Sequence, residues 1–129
     1  MQTNHVKHVL IVEDAKDIQI LLADLIEAEG YRVDCVFNGE EALKFLTSSE
    51  NLPGLILLDL MMPQMDGYQF RKAQEKDKRI ADIPVVVMTA DGDIQAKSVK
   101  LGSNGFLKKP FTNIPTILET VGRFFPKLV

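Results

Sequence analysis

Asp59 closes an apolar run, Leu55-Ile56-Leu57-Leu58, and is followed at once by Leu60-Met61-Met62-Pro63-Gln64-Met65-Asp66-Gly67. A carboxylate at the mouth of a buried strand is costly to desolvate, so it usually has a partner or a chemical task. Glu13 and Asp14 close a second run, Val9-Leu10-Ile11-Val12, and Thr89 ends a third, Val85-Val86-Val87-Met88. Lys109 stands before Pro110, just after the short run Gly105-Phe106-Leu107. If these ends meet at one edge of one sheet, they form an acidic pocket with a single cation beside it. Carboxylates held close repel one another and make a hard oxygen site for a divalent cation; Mg²⁺ is favoured where few protein ligands leave room for water and phosphate. A lysine and a hydroxyl beside that metal suit a phosphoryl group, whose oxygens need neutralising and orienting. A carboxylate can then serve as the nucleophile.

Each residue taken singly has a plainer reading. Glu13-Asp14 can cap a helix, Asp59 can be a strand-end turn residue, Lys109 an ordinary solvated lysine and Thr89 a β-branched strand residue. Their combination in this order favours the chemical reading, and it requires elements that bring them together. Apolar runs His8 to Val12, Arg32 to Phe37, Leu55 to Leu58, Pro84 to Met88 and Gly105 to Leu107 read as strands. Most are too uniformly apolar for a sheet wetted on one face, which predicts central parallel strands. Lys16 to Glu29 carries Ile18, Leu21, Leu22, Leu25 and Ile26 at helical spacing and stops at Gly30. Glu40 to Thr47, Gly67 to Lys76, Asp93 to Leu101 and Asn113 to Phe125 are the remaining helices, with Pro115 tolerable only in the first turn of the last. The strict alternation predicts an α/β fold: a single doubly wound (βα)5 domain with a central five-stranded parallel sheet and flavodoxin-like topology. In such folds function collects beyond the carboxyl ends of the strands, at the switch point of strand order.

A chain of 129 residues fits one domain, expected over residues 1–129 with no output domain. With 46% hydrophobic and 26% charged residues it has no disordered signature, and a net charge of -3 argues against direct nucleic-acid binding. Met1 to Lys7 lacks an apolar signal core, and no apolar run approaches the roughly 18 residues of a membrane span, so a soluble cytoplasmic protein is expected. Cys35 has no partner for a disulfide and reads as a small buried strand residue. His5 and His8 lack a ligand set and are expected to be exposed. The methionines at 61, 62, 65 and 88 read as flexible gap fillers.

Four motifs now stand in order: Val12-Glu13-Asp14; Leu58-Asp59-Leu60-Met61-Met62-Pro63 with Asp66-Gly67; Met88-Thr89-Ala90; and Phe106-Leu107-Lys108-Lys109-Pro110-Phe111. On them the chain resembles the receiver domain of two-component response regulators, from about His8 to the last helix. The resemblance implies that Asp59 is the phosphoacceptor and becomes an aspartyl phosphate. It implies that Asp14, Asp59 and the backbone carbonyl of Met61 bind Mg²⁺, or Mn²⁺ in its place, with Glu13 acting through water. Lys109 would pair with the acceptor and then with the phosphoryl oxygens. Thr89 would hydrogen-bond the phosphoryl group, pull its loop inward and vacate space for Phe106, the switch aromatic. The Lys109–Pro110 peptide bond would be cis. Ile18 and Ile20 on the first helix are candidates for kinase docking; Ile20 lies opposite the apolar stripe. Phe106 stands where tyrosine is also common, and Ser98 and Ser103 replace small alanines. Met61 and Asp91 occupy positions the family uses to set phosphoryl lifetime.

The implied function is a phosphoacceptor switch of a two-component or phosphorelay pathway. It would take its phosphoryl group from a sensor histidine kinase or histidine phosphotransfer protein, and perform its own phosphorylation and autodephosphorylation without turning over a separate metabolite. Output would pass to a downstream effector through the surface of the fourth helix, last strand and last helix, from a monomer or a phosphorylation-dependent dimer. The alternative is a phosphorylation-independent, receiver-like interaction module. The presence of every required site residue disfavours it. An aspartate-nucleophile phosphatase would want a second Asp where Met61 stands, and a flavin binder a hydroxyl-rich phosphate loop where Glu13-Asp14 stands.

Overall fold

The computed structural model describes residues 7–90 and 92–125. His5 and Asp91 lie outside the described residues. Five strands, β1 (His8–Val12), β2 (Arg32–Val36), β3 (Leu55–Asp59), β4 (Val85–Thr89) and β5 (Gly105–Lys108), alternate with five helices, α1 (Lys16–Glu27), α2 (Gly39–Ser48), α3 (Gly67–Lys76), α4 (Ile94–Lys100) and α5 (Ile114–Gly122). The strands pair in parallel in the order β2-β1-β3-β4-β5, the doubly wound, flavodoxin-like arrangement expected. The chain winds one way from β1 to β2 and the other way from β1 to β3, so the switch point lies between β1 and β3.

Side chains alternate across the sheet and build two cores. On one face Leu10, Val12, Ile56, Leu58 and Val87 meet Leu46 of α2, Phe70 of α3 and Ile94 of α4. On the other, Val9, Ile11, Leu57 and Met88 meet Leu22 and Ile26 of α1 and Ile117 and Val121 of α5. Covered on both faces, β1, β3 and β4 are buried along their whole length. The central-strand expectation holds for these three and not for β2 and β5, which form the two edges of the sheet.

That difference corrects two residue-level expectations. Cys35 is exposed rather than buried, because β2 is an edge strand with a neighbour on one side only. Partial desolvation, reinforced by the charges of Glu27 and Asp34, raises its thiol pKa and keeps it a neutral thiol. His8 is buried rather than exposed, at 4% of its surface. It opens the central strand β1; its Nε2 lies 2.7 Å from Oδ2 of Asp34 on β2, and its ring meets Phe45 of α2 edge-on. A polar ring is tolerated there because a carboxylate partner is supplied.

The inward stripe of α1 also differs from the expected set. Leu21 is 40% exposed, while Gln19 is buried. Gln19 donates through Nε2 to the backbone carbonyls of Glu13 at 2.8 Å and Val36 at 2.9 Å. Val36 ends β2 and its carbonyl also accepts the Glu13 N–H at 3.0 Å, while Glu13 follows β1 directly, so the amide of the covering helix ties the two strand ends together. In α5, Pro115 sits in the first turn as required, and the Asn113 side chain caps the helix by accepting from the Thr116 N–H.

Candidate functional site

The carboxyl ends of β1, β3, β4 and β5 deliver the chemistry-bearing residues to one place. Glu13, Asp14, Ala15, Asp59, Met61, Thr89, Ala90 and Lys109 line an open cleft of about 460 Å³. Each side chain arrives there for a local reason. Glu13 follows β1 directly and turns inward, its Oε2 accepting the Ala15 N–H at 3.0 Å as the chain enters α1. Asp59 is the last residue of β3, and its Oδ1 accepts the Met61 N–H at 3.1 Å. Thr89 is the last residue of β4, 2% exposed, and its carbonyl accepts the Lys109 N–H at 2.9 Å. Lys109 is joined to Pro110 by a cis peptide bond, as the resemblance implied.

The electrostatics are lopsided. Glu13, Asp14 and Asp59 each offer a carboxylate oxygen, all within 4.8 Å of one another; Asp14 is exposed and the other two are buried. Lys109 stands between the buried pair, its Nζ 2.6 Å from Oε1 of Glu13 and 3.4 Å from Oδ2 of Asp59. One ammonium cannot compensate two buried carboxylates and the exposed third. Burial, followed by the charge of Glu13, pushes the pKa of Asp59 up from 3.8 to about 7, against the opposing pull of the Met61 N–H and Lys109. Three hard oxygen donors with too little positive charge fit a small divalent cation such as Mg²⁺, whose remaining positions water or phosphate oxygens can fill.

The loop that follows Asp59 is gripped by its own glycine. A Cβ on Gly67 would lie 2.7 Å from the carbonyl oxygen of Asp59 and 2.9 Å from Cα of Leu60, and both are backbone atoms that cannot swing aside. The adjacent Asp66 starts α3 through a reciprocal cap, accepting the Gln69 N–H at 2.9 Å while its own N–H donates to the Gln69 side chain at 3.0 Å. Gly67→Ala is therefore expected to displace the acceptor loop. We expect a loss of ~1–3 kcal/mol of stability in denaturant titrations and a weakening of Mg²⁺ binding of about tenfold or more by calorimetry. Unchanged Mg²⁺ affinity in a stable variant would show that the close packing has no bearing on the site.

Of the residues singled out in the sequence, Glu13, Asp14, Asp59, Met61, Thr89 and Lys109 come together in the cleft. Phe106 does not line it; it lies on β5, 41% exposed. Ile18 is half-buried and Ile20 is 51% exposed on α1, both outside the cleft. Ser98 and Ser103 are a hydroxyl pair joined to each other, and Ser103 Oγ lies within hydrogen-bond distance of the carbonyls of Ser98, at 3.1 Å, and Gly105, at 3.2 Å, either of which can take its one proton, tying α4 to the residue before Phe106. Arg71 of α3 secures the same end of α4, donating to the carbonyls of Leu101 at 3.2 Å and Gly102 at 3.3 Å. Sequence reasoning passed over Gln19, although its spacing with Leu22 and Ile26 places it on the buried face of α1.

Residues 9–121 match the family model of the response regulator receiver domain. Among curated proteins, Response regulator SaeR of Staphylococcus epidermidis is 37% identical over 115 residues, covering 88% of this chain and 48% of that protein. The probable transcriptional regulator ycf27 of Cyanidium caldarium is 37% identical over 113 residues, covering 86% of this chain and 43% of that protein. The chain thus spans about half the length of the curated relatives it matches. Among solved structures, a putative response regulator from Chloroflexus aurantiacus superposes with a TM-score of 0.83 at 30% identity, covering 92% of this chain and 97% of that one. Chemotaxis response regulator CheY4 of Vibrio cholerae gives a TM-score of 0.82 at 29% identity, covering 93% and 99%.

Proposed function

The chain belongs to the response regulator receiver domain family, and from that premise we propose that it is the phosphoacceptor switch of a two-component or phosphorelay pathway, with Asp59 as the acceptor. One observation carries the reading: Asp59, 3% exposed, sits in an open cleft with its carboxylate 3.4 Å from the Lys109 ammonium and crowded by Glu13. A nucleophilic carboxylate with raised basicity and a cation alongside is suited to meet an anionic phosphoryl group.

In the proposed transfer, a carboxylate oxygen of Asp59 attacks the phosphorus of a phosphohistidine. The P–O bond forms as the P–N bond breaks, and the leaving electron pair stays on the imidazole nitrogen. Lys109 moves from its carboxylate partners to the phosphoryl oxygens, and the Thr89 hydroxyl donates to another of them. Asp14, Asp59 and the Met61 carbonyl would hold Mg²⁺, with Mn²⁺ as a substitute and Glu13 reaching it through water. Bound there, the ion supplies the positive charge that lets carboxylate and phosphoryl oxygens approach. Autodephosphorylation would be attack of water on the same phosphorus: a P–O bond to water forms as the P–O bond to Asp59 breaks, inorganic phosphate leaves and the Asp59 carboxylate returns.

The consequence for signalling is a shift between two packings. As Thr89 turns toward the phosphoryl group, Phe106 gains room to leave its exposed position on β5, and the α4, β5 and α5 surface changes for a downstream effector. The phosphoryl donor would be a sensor histidine kinase or a histidine phosphotransfer protein, docked on α1 near Ile18 and Ile20. Residues 1–129 would act as one receiver domain, with the cytoplasm as its proposed location and a monomer or phosphorylation-dependent dimer as its assembly. Among the described residues no helix is long and apolar enough to cross a membrane. Relatives of about twice this length are described as transcriptional regulators, so nucleic-acid binding by a longer protein carrying this domain is compatible with the proposal.

The test is intact mass after incubation with acetyl phosphate. Wild type is expected to gain one phosphoryl group with Mg²⁺ and none without it; Asp59→Asn should gain none under either condition. The reading is overturned if wild type gains nothing from acetyl phosphate or from a phosphohistidine donor and binds no beryllofluoride in the presence of Mg²⁺.

A further inference from the structure

We propose that Asn38 and Gln64 form a strap that holds the β3–α3 loop in the shape the cation site requires, which makes Asn38 a positioning residue although its segment contributes no ligand. The inference rests on the cation site described above. Asn38, at the turn from β2 into α2, is 8% exposed and serves two partners. Its Oδ1 accepts the Glu41 N–H at 2.9 Å and so caps α2, while its Nδ2 donates to Oε1 of Gln64 at 2.6 Å. The next residue adds a second fastening, the Gly39 N–H donating to the carbonyl of Met65 at 3.0 Å. The approach is close, since a Cβ on Gly39 would lie 2.7 Å from Cγ and 2.9 Å from the carbonyl oxygen of Met65.

The strapped residue is itself unusual. Gln64 has φ of +64°, the only non-glycine residue with a positive φ among those described. A residue with a Cβ is strained in that conformation, so something outside the loop must hold it there. Asn38 is the group placed to do so. The loop is then held in two places: at Gln64 and Met65 by the β2–α2 turn, and where Gly67 closes back onto the backbone of Asp59 and Leu60. Between the Leu60 contact and Gln64 lies Met61, which is 68% exposed and so gives the loop little packing of its own. Its N–H nevertheless donates to the Asp59 carboxylate at 3.1 Å, and its carbonyl is a ligand under the reading above. The position of that backbone is thus set from the far side of the loop. Outer groups that orient metal ligands commonly change affinity by about 10–100-fold when lost.

Asn38→Ser separates the two roles, because serine caps a helix about as well as asparagine but is too short to reach Gln64. Gln64→Gly removes the acceptor, leaves the α2 cap untouched and accommodates the positive φ. Mg²⁺ affinity of the unmodified chain would be measured by calorimetric titration, with amide exchange over residues 61–66 and thermal unfolding followed in parallel. The strap requires Tm values near wild type, faster exchange over 61–66 and Mg²⁺ bound about tenfold more weakly by each variant, with the double variant no weaker than either alone. If wild type binds Mg²⁺ and both variants match it within about twofold, the strap is wrong while the cation site stands. If wild type binds no Mg²⁺, the cation site itself fails and the strap falls with it. Should Asn38→Ser lower the Tm, Gln64→Gly decides alone.

Discussion

Replacing Lys109 with methionine is expected to destabilise the unmodified protein by ~3–5 kcal/mol near neutral pH and to slow phosphoryl uptake by about 10²–10³-fold. Methionine keeps much of the lysine stem and its packing, so the loss isolates the charge. The ammonium sits 2.6 Å from Glu13 and 3.4 Å from Asp59, and these residues are 0% and 3% exposed. Removing one partner from a buried ion pair is costly because it leaves the other charge uncompensated, and here it leaves two. The deficit should shrink as pH falls, since protonating Asp59 relieves the repulsion that the lysine otherwise offsets. Denaturant unfolding at about pH 5.5 and pH 8, with intact mass after acetyl phosphate treatment, checks both effects. Equal stability of variant and wild type near pH 8 would show that the lysine is solvated rather than shared by the buried pair.

Asp59→Asn is expected to act in the opposite direction on stability, raising it by on the order of 2 kcal/mol near neutral pH and raising the Tm by roughly 5 °C or more. The sign follows from the proton count. Asp59 in the folded protein holds its proton up to about 7, whereas its ordinary pKa is 3.8. Between those values the native state binds more protons than the unfolded state, so stability is lost as pH rises through that window and is low above it. The amide carries no charge to repel Glu13 and still offers an oxygen to the Met61 N–H. Thermal unfolding across the window should therefore show wild type falling more steeply than the variant, without added divalent cation. Saturating Mg²⁺ should narrow or invert the difference, because only the wild type keeps its full ligand set and gains stability by binding. An Asn variant less stable than wild type at neutral pH, in the presence of a chelator, would refute the account of mutual repulsion.

The parts of the fold that were legible in the sequence are those with a local cause. The helix Gly67–Lys76 begins and ends as expected because Asp66 caps it, Gly67 fixes its start and an amphipathic stripe runs between. The gathering of Glu13, Asp14, Asp59, Thr89 and Lys109 was likewise legible, since each follows an apolar run and parallel strands bring such ends to one edge. The exposure of Cys35 and the burial of His8 were not legible, and for one reason. Both depend on strand order, and periodicity within β1 or β2 does not say which of them lies at the edge. The contact of Asn38 with Gln64 was hidden in a different way. It joins loops 26 residues apart, and neither residue breaks a local pattern.

The sheet order that upset those expectations has a further meaning for the molecule as a solute. An edge strand offers unpaired N–H and C=O groups to any other chain that can supply a strand. The two edges here are those that depart from a continuous apolar pattern: β2 carries Arg32 and Asp34, and β5 is only four residues long and ends at exposed Lys108. The apolar strands β1, β3 and β4, which would make the most adhesive borders, are kept inside. Charge and brevity at the margins thus discourage sheets of neighbouring molecules from joining edge to edge and leave the protein free to meet partners through its helices and its cleft.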